Sequence, residues 1–119
     1  LEADPSSVPQ ARRYVAQALS RHPLGADTTQ TVLLLTSELV TNAVVHAGTE
    51  IELSVHVEEN RNVVRVVVTD GSPNPPLLRS ARYTSDGGRG LRLLAELADA
   101  WGTTPAGTGK DVWFEVRAV

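Results

Sequence analysis

The spacing of apolar side chains along the chain changes from helical to alternating near residue 50. Over residues 5–21 (PSSVPQARRYVAQALSR), Val8, Ala11, Val15, Ala18 and Leu19 recur at helical spacing and predict a first helix. Ser6 or Ser7 is placed to cap it. Pro9 falls in the first turn, where its missing N–H costs nothing. His22-Pro23-Leu24-Gly25 ends it. Residues 27–47 predict a longer helix, with Asp27 or Thr28 as cap and Gly48 as stop. Val32, Leu35, Leu39 and Ala43 form its stripe, widened by Leu33, Val40 and Val44. In residues 50–58, Ile51, Leu53, Val55 and Val57 alternate with Glu50, Glu52, Ser54 and His56, a strand with one wet face. Asn60-Arg61 sits where a hairpin turn belongs, and residues 62–69 (NVVRVVVT) predict a second, more buried strand ended by Asp70.

Residues 71–90 hold three prolines and four glycines and have no period. A structureless loop of that length suggests a lid or binding loop, with residues 74–88 expected to be mobile. Leu91, Leu94 and Ala98 then share one face of a short helix over 91–99. Trp101–Thr104 and Asp111–Val119 predict two last strands around a turn at Pro105–Gly109. The strands cluster late and do not alternate with helices. This order predicts an α+β fold, a mostly antiparallel sheet with helices on one face. The βαβ alternation of a doubly wound fold is absent.

Composition narrows this picture. A chain of 119 residues suits a single domain over 1–119. No apolar run approaches the ~20 residues of a membrane helix, and no signal peptide is visible, so no membrane partner is expected. Cysteine is absent, which removes disulfides and thiolate metal sites and agrees with a cytoplasmic location. The net charge of −3 is spread over interspersed acids and bases, which argues against nucleic acid as a direct partner. The chain lacks methionine even at position 1, as expected of a processed chain or a domain excised from a larger regulator. Lys110 is the single lysine beside ten arginines.

Four places along the chain could carry chemistry. Glu38, Asn42 and His46, at i, i+4 and i+8, lie along one face of the second helix beside its apolar stripe. A carboxylate and a carboxamide there suit Mg²⁺, which favours oxygen ligands; a solvated helix face would show the same spacing. Asp70-Gly71 ends a buried strand, where a carboxylate can accept from an amino group such as that of adenine; an ordinary strand-to-turn Asp-Gly reads identically. Asp86-Gly87-Gly88-Arg89-Gly90-Leu91 opens a helix with backbone N–H groups suited to an anion, or is a flexible linker. Gly107-Thr108-Gly109-Lys110 lacks the upstream glycine and the strand–loop–helix context of a P-loop, and reads as a turn. The three histidines are scattered and Gly-x-Ser-x-Gly is absent, which leaves zinc and serine-hydrolase chemistry without support.

The order of these parts is more specific than any one of them. Glu38-Leu-Val-Thr-Asn42-Ala-Val-Val-His46-Ala resembles the N box of the gyrase/heat-shock chaperone/histidine-kinase/MutL (Bergerat) ATPase superfamily. Asp70-Gly71 resembles its first glycine box, Gly88-Arg89-Gly90-Leu91 the second, and Gly107-Thr108-Gly109 the last. The compact N box and the Ala11-Arg12-Arg13 segment look most like the RsbW/SpoIIAB-type anti-sigma-factor serine kinases of actinobacteria.

That resemblance implies a two-layer α/β sandwich that binds ATP and Mg²⁺. By position, Asn42 is the implied metal ligand, Glu38 the general base and Asp70 the adenine-reading carboxylate, with Gly71 keeping the pocket open. Gly88, Arg89, Gly90 and Leu91 would serve the phosphates and Thr108 the base side, with His46 beside them. The implied function is phosphorylation of a STAS-type anti-sigma antagonist; the alternative is a non-catalytic, ATP-binding or sigma-factor-sequestering module of a larger regulator. Homodimers are common among such relatives. Two features depart from the family: the first box, Asp-Gly-Ser-Pro-Asn-Pro-Pro, lacks the second glycine of histidine kinases, and no phosphorylatable histidine with dimerisation helices is present. The family's first strand is expected near Leu1–Ala3 or upstream.

Overall fold

The structure is a computed structural model that describes residues 1–73 and 86–118, with backbone only for 86–91. Helix α1 spans Ser7–Leu19 and turns Ala11, Val15 and Leu19 inward. Helix α2 spans Ala26–Asn42 and buries Val32, Leu35, Leu39 and Val40. Strands β1 (Glu52–Glu58) and β2 (Val63–Asp70) form a hairpin, α3 spans Asp86–Leu97, and β3 (Ala100–Ala106) and β4 (Gly109–Arg117) form a second hairpin.

The sheet order is β1-β2-β4-β3, and every neighbouring pair is antiparallel. The two hairpins therefore meet along β2 and β4, the strands buried most deeply. Alternation sorts their side chains between two faces. Val64, Val66 and Val68 of β2 join Val112, Phe114 and Val116 of β4 and the helix stripes in one core. Ile51 is fully buried, and Leu53, Val55, Val57 and Trp101 pack against that core. Arg65, Thr69, Asp111, Trp113 and Glu115 take the opposite face. There Arg65 stacks 4.3 Å from the Trp113 ring centroid and bonds Glu115 at 3.0 Å, while Thr69 donates to Asp111 at 2.5 Å. This is the expected α+β arrangement, helices on one face of an antiparallel sheet.

The ends of elements differ from the sequence expectation. Neither serine side chain caps α1, because Ser6 is already helical (φ −67°, ψ −15°). Its backbone N–H instead donates to Asp4 Oδ1 at 2.8 Å. That bond, followed by one from the Ser6 side chain, holds the Asp4 carboxyl below its ordinary value. Gly25, extended at ψ 157°, precedes α2 in place of an Asp27 or Thr28 side-chain cap. The predicted second helix is α-helical only to Asn42, and Ala43–Ala47 widen into one π-helical turn. α3 begins at Asp86 rather than near 91; glycine inside a helix costs about 1 kcal/mol but does not forbid it. Pro105 lies within β3, an edge strand that tolerates a missing donor, and the turn contracts to Gly107 and Thr108. Leu1 exchanges both backbone hydrogen bonds with Ile51 at 2.7 Å, but the first strand expected near Leu1–Ala3 does not form. Most of the segment expected to be mobile, residues 74–85, lies outside the described residues.

Candidate nucleotide site

The end of α2 supplies one wall of the site. Glu38 is half-buried one turn before the helix end. Asn42 is 7% exposed, and its side-chain amide has no hydrogen-bond partner among the described residues. No fully buried side-chain polar atom among those residues is left unpaired, so the amide tip keeps an opening to the surface. His46 is exposed on the π-turn. Gly48 then leaves the helix at φ +67°, the left-handed conformation that favours glycine, and its N–H bonds the Ala43 carbonyl at 3.2 Å. One residue later, Thr49 Oγ1 accepts the Gly71 N–H at 2.7 Å. This bond ties the segment leaving the helix to the end of β2.

Asp70 continues the inward-facing series of Val64, Val66 and Val68, so its carboxylate turns toward the helix layer and is 5% exposed. A carboxylate is costly to bury unless charge and hydrogen bonds meet it. Ser72 N–H donates to Oδ1 at 2.9 Å, an Asp-to-i+2 turn contact. Lys110, opposite Asp70 in the β2–β4 register, belongs to the inward-facing series of Val112, Phe114 and Val116 and is 7% exposed. Its Nζ lies 3.0 Å from both Asp70 oxygens and 3.4 Å from the Ser72 carbonyl.

Gly109 makes this meeting possible. A Cβ there would fall 1.8 Å from the Asp70 carbonyl oxygen and 2.7 Å from Gly71 Cα. At Gly71 itself a Cβ would touch Thr49 at an ordinary 3.4 Å, so the steric need for glycine lies at 109.

The α3 helix packs against α2. Gly88, Arg89, Gly90 and Leu91 lie within its first turns rather than ahead of them. The N–H groups without an intrahelical acceptor are therefore those up to Gly88, while Gly90 and Leu91 belong to the helical ladder. Thr108 is exposed in the β3–β4 turn, and the buried polar residue of that segment is Lys110. The structure thus joins Thr49, Asp70, Gly71, Ser72, Gly109 and Lys110, at the end of the helix that carries Asn42.

Among the described residues no group of three or more His, Asp or Glu could hold a metal ion. An Asn42 carboxamide oxygen still suits Mg²⁺, which keeps most of its waters and takes few protein ligands. No helix among the described residues is long and apolar enough to cross a membrane.

The family model of the histidine kinase-like ATPase domain matches residues 1–116. The chain belongs to this family. A histidine kinase-like ATPase domain binds ATP. The histidine kinase domain from the Erythrobacter litoralis EL346 blue-light activated histidine kinase matches with a TM-score of 0.57 and 28% identity, over 76% of this chain and 45% of that one. A structure of the Erythrobacter litoralis EL346 blue-light activated histidine kinase matches with a TM-score of 0.64 and 23% identity, over 88% and 40%, a likeness of fold alone. The domain spans less than half the length of either chain. No curated protein matches it.

Sequence reasoning missed Thr49 and Lys110, and it placed Gly109 in the last glycine box without its steric role. Strand register sets Lys110 against a residue forty positions away, and Gly109 is needed for a contact between those same strands. For Lys110 the local signal was its being the single lysine in an arginine-rich chain.

Proposed function

We propose that this ATPase domain is an anti-sigma-factor-type protein serine kinase that uses Mg·ATP to phosphorylate a STAS-type antagonist. The observation that carries the nucleotide part is the buried Asp70 carboxylate, fixed by its bonds and tied through Gly71 and Thr49 to the helix bearing Asn42. Asp70 would accept from the adenine amino group, Asn42 would hold Mg²⁺ through its amide oxygen, and the first-turn N–H groups of α3 would face phosphate. Bound Mg²⁺ would supply charge neutralisation on the phosphates. Glu38 would accept the proton of the substrate serine as its oxygen bonds the γ-phosphorus and ADP leaves; positioning and electrostatics dominate such transfers. The resemblance of the N box to the anti-sigma kinases supports the serine substrate.

Nucleotide titration with and without Mg²⁺, on wild type and Asn42→Ala, tests the binding site. Mg²⁺-dependent affinity should fall at least tenfold in the variant, and unchanged affinity would remove Asn42 from the site. Labelled ATP with candidate antagonists, comparing wild type with Glu38→Ala, tests the kinase. Glu38→Ala should still bind ATP while transfer falls by roughly 10²–10⁴. Nucleotide binding without transfer by wild type would point to the non-catalytic, partner-sequestering reading.

A further inference from the structure

Lysine usually keeps its ammonium in water even when its stem is covered. Lys110 does the opposite, placing its ammonium on the helix side of the sheet against Asp70. A pair of apolar residues at 70 and 110 would extend the valine core without that desolvation cost, so the buried pair is weak as a stability device. Its geometry instead determines how much of Asp70 a ligand can use. Oδ1 accepts from Ser72 N–H and from Lys110, which fills its two lone-pair sites. Oδ2 faces Nζ at 3.0 Å and keeps one site. The ammonium has three protons, directed to Asp70, to the Ser72 carbonyl at 3.4 Å, and one more.

We propose that Lys110 is a specificity-determining residue of the nucleobase pocket, leaving Asp70 one open acceptor beside one ammonium donor, a pair that matches adenine and opposes guanine. The inference rests on the nucleotide reading above. Adenine carries a donor amino group at position 6 and an acceptor at N1, complementary to Oδ2 and Nζ in that order. With the base held the same way by its phosphates, guanine presents an acceptor at position 6 and a donor at N1, so both contacts become repulsive. The two adjacent donors of guanine, N1–H and the 2-amino group, would need both carboxylate oxygens, and Oδ1 is taken. Discrimination therefore comes from the unfavourable pairing as much as from the favourable one.

The test is calorimetry on the full chain with Mg²⁺ and three ligands: ATP, GTP and purine ribonucleoside triphosphate, which lacks the 6-amino group. Wild type, Lys110→Met and Lys110→Arg are compared. Wild type should favour ATP at least tenfold over each of the other two ligands. Lys110→Met should lower the ATP/GTP ratio severalfold while the preference for ATP over the purine ligand, set by Asp70 and the 6-amino group, persists; Lys110→Arg, which keeps the charge and donors, should restore at least part of the ATP/GTP preference. A purely structural lysine would lower all three affinities together and leave the ratios intact. An unchanged ATP/GTP ratio in Lys110→Met would therefore overturn the proposal while the nucleotide site stands. If Lys110→Met does not fold, Lys110→Gln replaces it; its amide can turn an acceptor toward guanine, so the ATP/GTP ratio should fall, and an unchanged ratio overturns the proposal. A wild type that binds none of the three ligands would remove the nucleotide reading itself.

Discussion

Gly109 sits where β4 presses on the backbone of Asp70 and Gly71, closer than any side chain allows. Its replacement by alanine forces these strands apart at the residues that orient the buried carboxylate. Gly109→Ala should cost about 1–3 kcal/mol, as overpacking does, and weaken ATP binding at the same time. Urea unfolding and calorimetry on the same preparation check both effects. Gly102 is a gentler case on the opposite sheet face, where an added Cβ would meet the Trp113 ring at 2.9 Å. At the chain entry, the folded Asp4 carboxyl titrates below 3.8 because it accepts the Ser6 N–H. The stabilisation is present above the unfolded value and is lost as pH falls through the folded one. Asp4→Ala should therefore lower stability at neutral pH, and its deficit should vanish in acid once Asp4 is protonated, as thermal unfolding across pH would record.

Elements with one dry face were legible in the sequence, because burial imposes a period that single side chains cannot hide. The stripe through Val32, Leu35, Leu39 and Ala43 is buried as expected. Leu35, fully buried in the core, should cost about 2–5 kcal/mol on truncation to alanine, measured by urea unfolding. Element ends were less legible. Several local partners compete for the first N–H groups of a helix, and at α1 Asp4 accepts the Ser6 N–H while neither serine side chain caps the first turn. The glycines at 87, 88 and 90 looked like a break but continue α3, where helix-to-helix packing outweighs propensity. Asp70 stood out through the order of the motifs it belongs to and not through its strand end alone, whereas Lys110 did not, since its partner is fixed only when the two hairpins meet.

The whole molecule divides by face. Nearly all the candidate chemistry lies on the helix side of the sheet, while the other side carries an ion-pair network of Glu58, Arg61, Arg65 and Glu115. Because Asp70 and Asn42 lie on separate elements, a ligand that spans them should stabilise the folded state as a unit. Mg·ATP at 100 times its Kd should add about 2.7 kcal/mol, seen as a rise in Tm that Asn42→Ala reduces. The division by face also has an optical consequence. The two tryptophans fall on opposite sides of the sheet: Trp101 packs toward the core, and Trp113 lies beneath the Arg65 guanidinium. A Trp113→Phe protein would carry its sole indole on the helix side and a Trp101→Phe protein its sole indole on the far side, so paired emission spectra can separate changes among the helices from loosening of the sheet.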